Sequence, residues 1–200
     1  DIAKCAERLS PHADYLVVNV SCPNTPGLIE WQTPKGVERM LAVTRGACCT
    51  TGKRPPILLK LSPDLELHNL EPIITSSLDA GISGLIISNT TVSRPNELLS
   101  GNAVRRGGLS GNPLASMSYE MLSRVYKITC GSIPLVAGGG ISSAQDAYGR
   151  IRAGASLIQI YTALIYRGPQ LVTEIVDGLV ELLKLDGFSS ISDAVGANHR

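Results

Sequence analysis

The chain has 200 residues, 44% hydrophobic and 18% charged, with a formal net charge of +1. That length can bury one real core, and so balanced a charge offers no electrostatic footprint for nucleic acid or an acidic partner. A single Phe and a single Trp argue against a base-stacking surface, and no apolar run approaches the roughly 20 residues of a membrane span.

Residues 1–12 read as the end of a helix, with Ile2, Cys5, Ala6 and Leu9 on one face. No leader is visible at Asp1, and the start reads as internal. Tyr15–Val20 is an apolar, β-branched strand that runs into short polar side chains: Asn19, Ser21, Cys22, Asn24 and Thr25. Pro23 and Pro26 stiffen this exit and Gly27 lets it turn. Thr33–Gly46 is helical, Thr51–Pro56 a turn, and Ile57–Leu61 a second buried strand closed by Ser62-Pro63-Asp64. Leu67–Ala80 is helical and Gly81 stops it. Gly84–Ser88 is a third strand, and residues 89–112 form a polar, Gly-rich loop of a length that is often functional.

Pro113–Thr129 returns to helix with Pro in its first turn. Ile133–Ala137 is a fourth strand, ending in Gly138-Gly139-Gly140. Ser143 caps a helix over Ala144–Arg152, Leu157–Tyr161 is a fifth strand, and Gln170–Leu185 is an amphipathic helix followed by a tail. The βα unit thus recurs, with the near-continuous apolar strands of a covered parallel sheet and no linker to divide residues 1–200 into more than one domain.

An open doubly wound sheet and a (β/α)8 barrel both fit this pattern. The polar residues favour the barrel. An open sheet gathers its ligand mainly at one switch point, whereas a barrel brings every strand's C-terminal end to one rim. Here all the strands contribute: Asn19, Cys22 and Asn24 after the first, Lys60 in the second, Ser88, Asn89, Thr90 and Thr91 after the third, the glycines after the fourth, Tyr161 and Thr162 after the fifth. A closed barrel takes eight strands and typically about 250 residues. About three βα units are therefore expected before residue 1, and residues 1–200 alone are not expected to close a barrel.

Gly138–Gly140 followed by a helix can present backbone N–H groups to an anion, with Thr162 adding a hydroxyl; a triple glycine alone reads equally well as a plain turn. Lys60 interrupts an apolar strand, with Leu59 and Leu61 on the opposite face. It either snorkels to the rim or meets a buried anion, and no carboxylate nearby in sequence serves as its partner. Asn19, Asn24 and Asn89 have the donor and acceptor pairs that suit a planar polar ligand, although each alone fits a turn or cap. Five cysteines, odd in number and without a C-x-x-C pair, argue against a zinc site or a disulfide framework and for a reducing compartment. Cys22 stands apart. No histidine lies near it to make a protease-type nucleophile, so a general base is the better reading.

At these residues the sequence resembles dihydroorotate dehydrogenase. The motifs are NVSCPNTPGL (19–28), LLKLSPD (58–64), ISNTTVSRP (87–95), GGLSGNPL (107–114), AGGGISSAQDAYGRIRAGASLIQIYTALIY (137–166) and DAVGANH (193–199), in family order. The resemblance implies an FMN-dependent (β/α)8 barrel that oxidises (S)-dihydroorotate to orotate in pyrimidine biosynthesis. It implies flavin contacts from Asn19, Lys60, Ser88, Gly111, Gly139, Gly140, Tyr161 and Thr162, pyrimidine contacts from Asn19, Asn24, Asn89 and Thr90, and a catalytic base at Cys22. The base would take the substrate's C5 proton, and Lys60 would face negative charge on the flavin. NTTVSRP, GGLSGNPL and the tail look like class 2, which passes electrons to a quinone and associates peripherally with a membrane through its N-terminal region: the mitochondrial inner membrane in eukaryotes, the cytoplasmic face of the inner membrane in bacteria. Cysteine at position 22 is instead the class 1 pattern, where class 2 has serine. That leaves a class 1-type enzyme, using fumarate or an NAD-linked acceptor, as the rival, and a non-catalytic flavin- or phosphate-binding module as the alternative of a different kind.

Overall fold

A computed structural model describes residues 1–25, 27–96 and 98–200. Pro26, read above as stiffening the first loop, lies outside them. Five strands form one parallel sheet: β1 (Leu16–Asn19), β2 (Ile57–Leu61), β3 (Gly84–Ile87), β4 (Leu135–Gly138) and β5 (Leu157–Gln159). Their spatial order is their chain order, β1-β2-β3-β4-β5, so the sheet is wound in one direction and has no switch point. That is the winding of a barrel wall, not of a doubly wound sheet.

The helices are α1 (Ile2–Leu9), α2 (Pro34–Cys49), α3 (Leu67–Asp79), α4 (Ala115–Thr129), α5 (Ala144–Arg152), α6 (Thr162–Arg167), α7 (Gln170–Asp186) and α8 (Ile191–Ala194). Local chemistry sets several of their ends. Thr33 caps α2 by accepting from Gly36 N at 3.1 Å, with Pro34 in the first turn, and Ser143 caps α5 by accepting from Asp146 N at 3.1 Å. Gly187 ends α7 in the left-handed conformation.

Strand alternation divides the sheet into two faces. Val18, Leu59, Leu61, Leu85, Ile87, Leu135 and Ala137 point outward and pack with Leu41 of α2, Ile73 and Ile74 of α3, Leu122 and Val125 of α4, Ala147 of α5 and Leu171 of α7. The inner face carries Val17, Lys60, Ile86, Val136, Leu157 and Gln159. At its centre Ile86 and Val136 are buried, but on the edge strands Val17 and Leu157 are exposed. The expectation of strands covered on both faces therefore holds at the middle of the arc and fails at its two edges.

Other boundaries differ from the sequence reading. β4 begins two residues later than expected because Pro134 cannot donate to the ladder, and it takes in Gly138. β5 stops at Gln159 because Thr162 opens α6, a short helix for which TALIYR gave too few turns of periodicity. α4 starts at Ala115, behind a 3-10 turn over Asn112–Leu114.

The 89–112 loop is built from polar contacts. The Asp64 carboxylate accepts from the Thr91 hydroxyl and from Val92 N at 2.9 Å, so it serves this loop and not Lys60. Thr91 and Leu109 form an isolated bridge at its base. Inside it, Arg94 donates to the carbonyls of Ala103, Thr91, Ser93, Arg105 and Gly107, at 2.9, 3.3, 3.0, 2.9 and 2.6 Å. One planar guanidinium thus adds to the few backbone bonds of the loop by satisfying five of its carbonyls.

Two outcomes follow. Leu59 is fully buried, so Leu59→Ala should lower the unfolding free energy by about 2–5 kcal/mol in urea titrations. Arg94→Ala should leave the core intact but release the loop. Limited trypsinolysis after the exposed Arg105 and Arg106 should accelerate by about tenfold or more, since hydrogen bonds from a charged donor are each worth roughly 1.5–3 kcal/mol.

Candidate active site

Because the strands are parallel, their C-terminal ends share one rim. Register fixes what stands there. Asn19 pairs with Lys60, Lys60 with Ile86, Ile86 with Val136 and Val136 with Leu157. One step further along, Ser88 N bonds to Gly138 O at 3.3 Å and Gly138 pairs with Gln159. A cavity of about 530 Å³ opens above this row. It falls in the range usual for small-molecule sites, roughly 300–1,000 Å³.

Of the residues singled out in sequence, Lys60, Ser88, Asn89, Thr90, Gly111, Gly139, Gly140, Tyr161 and Thr162 all line it. Asn19, Cys22 and Asn24 do not. Asn19 is nevertheless tied to the wall, since Asn89 Nδ2 donates to Asn19 Oδ1 at 3.2 Å and to Ser21 Oγ at 3.0 Å. Ser21 returns to Asn19 Oδ1 through its own N–H and hydroxyl, at 3.2 and 3.0 Å, and Thr90 N donates to Asn89 Oδ1 at 2.8 Å. Two of the three asparagines therefore form one network. Asn24 stands apart, near Gly107.

The loop after β1 and the 89–112 loop meet at a glycine. A Cβ on Gly108 would overlap the Thr90 hydroxyl and lie 3.1 Å from Pro23 Cγ. Only a residue without a side chain lets the two loops close on each other here. That contact brings the Cys22 loop against the Asn89–Thr90 wall. Cys22 is partly exposed and free. A hydrogen bond from the Thr25 side chain, then one from the Asn24 backbone, holds its thiol below the usual range against an opposing effect of burial.

The cavity's charge is one-sided. Among the described residues, Lys60 and Arg167 are its charged lining residues, and no carboxylate joins them. Burial lowers the Lys60 pKa from its ordinary value. Its hydrogen bond is a long one to a neutral amide, Gln159 Oε1 at 3.5 Å. A desolvated ammonium with so weak a partner is complementary to a ligand that bears negative charge.

At the far end, Gly139 and Gly140 have φ of +97° and +70°. A Cβ on Gly140 would lie 2.5–2.8 Å from Ala115 atoms, so the turn packs directly on the start of α4. Thr162 Oγ1 meets Ser110 Oγ at 2.9 Å, which closes the wall between the loop and β5. Ser142 N and Oγ, both at 3.0 Å from Asp146 Oδ2, brace the turn's exit. Burial opposes ionisation of Asp146, but these bonds and the Ser143 hydroxyl hold its carboxyl below the ordinary range, with Arg150 contributing.

Several lining residues were missed in sequence. Gln159 carries the same signal as Lys60, a polar residue inside an apolar strand. Ser142 follows the glycine turn two residues on, whereas Ser110 and Arg167 carry no signal, because only the packing of the loop and α6 brings them to the cavity.

The chain is similar to known proteins along its whole length. The family model for dihydroorotate dehydrogenase matches residues 1–183. Proteins named dihydroorotate dehydrogenase (quinone) from Rhodospirillum rubrum and Deinococcus radiodurans are each 48% identical to it, over 96% and 98% of this chain. A third, from Anaeromyxobacter dehalogenans, is 44% identical over 100% of the chain. The chain spans about half the length of these relatives, 53–55%. The crystal structure of the Eimeria tenella enzyme in complex with ferulenol superposes with a TM-score of 0.96 at 38% identity, covering 100% of this chain and 58% of that one. The ligand-free form of the same enzyme gives 0.95. The five-stranded sheet is thus part of a (β/α)8 barrel, and the chain belongs to the dihydroorotate dehydrogenase family.

Proposed function

We propose that this chain supplies the FMN- and pyrimidine-binding rim of an enzyme that oxidises (S)-dihydroorotate to orotate and passes the electrons to a quinone. Residues 1–200 are read as one domain of that enzyme, with further barrel strands contributed from outside them. The observation that carries the reading is the cavity itself: a desolvated lysine, an asparagine network and a double-glycine turn on one wall, with no carboxylate lining it among the described residues.

The donor set fits FMN. Gly139, Gly140, Gly111 and Thr162 crowd one end with little side-chain bulk, a cradle suited to a phosphate. Lys60 stands at the middle, where an electron-rich ring system would meet its charge, and Ser88 and Tyr161 complete the wall. Asn19 reaches the same space through Asn89. FMN, when bound, supplies the two-electron acceptor chemistry that no protein side chain provides.

This chain's own residues orient substrate and move a proton. Asn19, Asn89, Asn24 and Thr90 offer the amide and hydroxyl donors and acceptors that a pyrimidine ring and its carboxylate require. Cys22, on the loop that closes over them, takes the C5 proton. The hydrogen bonds from Thr25 and Asn24 favour its thiolate, the form that can accept one.

Quinone as acceptor is supported by the names of the relatives, and the resemblance to the quinone-using class implies peripheral membrane association. Among the described residues no helix is long and apolar enough to cross a membrane. One feature favours a fumarate- or NAD-linked enzyme: cysteine at position 22. Acceptor assays on the full-length protein should show turnover with a quinone and little with fumarate; the reverse result would move the chain to the soluble class.

Cys22→Ala should cut turnover by about 10²–10⁴-fold, the usual range for losing a positioned base. Cys22→Ser should keep partial activity and displace the acid limb of the pH–rate profile upward. The active form is the deprotonated one, it appears as pH rises through the group's pKa, and a hydroxyl ionises far above a thiol. Lys60→Met should retain bound flavin but make its reduction potential more negative, as read by spectroelectrochemical titration, because the charge that favours the electron-rich ring is gone. An unchanged potential would remove Lys60 from this role.

A further inference from the structure

The geometry points to Arg150 as a positioning residue that fixes the Gly139–Gly140 turn for a phosphate by holding the Gly139 carbonyl from behind. The inference rests on the phosphate reading of that turn given above.

Arg150 lies on α5 and is 3% exposed. Its Nη2 donates to Gly139 O at 3.0 Å and to Ala115 O at 2.6 Å. One guanidinium nitrogen thus ties the turn after β4 to the first residue of α4, the two backbones that Gly140 also brings into contact. The peptide bond is planar and trans, so C=O and N–H of one unit point in opposite directions. Pinning the Gly139 oxygen toward α5 therefore aims the Gly140 N–H the other way, to the side on which Gly140 lines the cavity. Among the described residues no protein acceptor takes that N–H.

Among the described residues the cation is also without an ion pair, although the Asp146 carboxylate acts on it through space. The Asp146 carboxylate one turn earlier is engaged with Ser142. Arg150 Nη1 is buried with no hydrogen-bond partner among the described residues. The guanidinium carbon lies 5.4 Å from the centroid of the Tyr119 ring, and Asn198 Nδ2 donates to the Tyr119 hydroxyl at 3.2 Å. A buried cation immediately behind the turn, with Asp146 one helical turn away as a field partner but no ion pair, is complementary to an anion in front of it. The other arginine of this helix shows the contrast: Arg152 pairs with Asp186 at 2.7 Å on the surface.

The test compares FMN with riboflavin, which differ by the phosphate alone. The full-length enzyme is stripped of flavin, and rebinding of each is followed by flavin fluorescence in wild type, Arg150→Met and Arg150→Lys. Arg150→Met should raise the FMN Kd roughly 10- to 100-fold, the scale of a lost charged hydrogen bond. Its riboflavin Kd should stay within about twofold, since the isoalloxazine end is untouched. Arg150→Lys keeps the charge but not the fork, and should fall between. Equal rises for both flavins, or an unchanged FMN Kd, would overturn the assignment. Should Arg150→Met fail to fold, the ratio of the two Kd values in Arg150→Lys decides in the same way. A wild type that holds riboflavin as tightly as FMN would overturn the phosphate reading, and the role of Arg150 with it. A wild type and variants that discriminate equally would overturn the role of Arg150 alone.

Discussion

The parallel ladder that runs Asn19, Lys60, Ile86, Val136, Leu157 is the constraint from which the rest of the site follows. A shift of one residue anywhere in it would turn Lys60 from the inner face into the helix-packed core, where Leu59 and Leu61 now sit without solvent. Burying an ammonium among Ile73, Leu41 and Leu122 is prohibitive. The hydrophobic pattern that stabilises the outer face therefore also fixes which polar residues stand on the inner rim. Stability and site are specified by the same alternation.

The second organising feature is the sign of the charge around the cavity. Lys60 and Arg167 line it, and Arg150 stands behind the Gly139–Gly140 turn. Burial lowers the Arg150 pKa to about 10, which still leaves it cationic at neutral pH. Neither Lys60 nor Arg150 forms an ion pair with a carboxylate among the described residues. Carboxylates that stand near are used elsewhere: Asp64 holds Thr91 and Val92, and Asp146 holds Ser142. A fold that diverts its acids into loop and cap duties leaves positive potential where an anionic ligand would enter.

Loops finish what the strands begin. In the 89–112 segment Arg94 donates to five carbonyls and Asp64 anchors the base. Gly108 then allows Thr90 and Pro23 to approach, which brings the Cys22 loop onto the Asn89 wall. The thiol reaches its environment through two loops packed on one another and not through any strand.

Much of this was legible in the residues. The five strands, the barrel-type distribution of polar residues, the lysine facing away from Leu59 and Leu61, the Ser143 cap and eight of the cavity's lining residues followed from period, caps and chemistry, because these are local properties of the chain, while Gly111 came only with the family resemblance. Gln159 was legible by the same rule as Lys60 but lay in a strand read as two residues longer, where its partner was not apparent. Other features depended on tertiary contact. TALIYR is too short for periodicity to mark a helix, so α6 and the placement of Arg167 emerged only from packing. Arg150 and Arg152 are alike in sequence, two residues apart on one helix. The 3.6-residue turn sends one into the interior behind Gly139 and the other to the surface beside Asp186. Sequence by itself determined which residue types reach the rim. Which of them share a cavity, which cation goes unpaired and where the two loops close were decided by the fold, because each depends on distances between segments far apart along the chain.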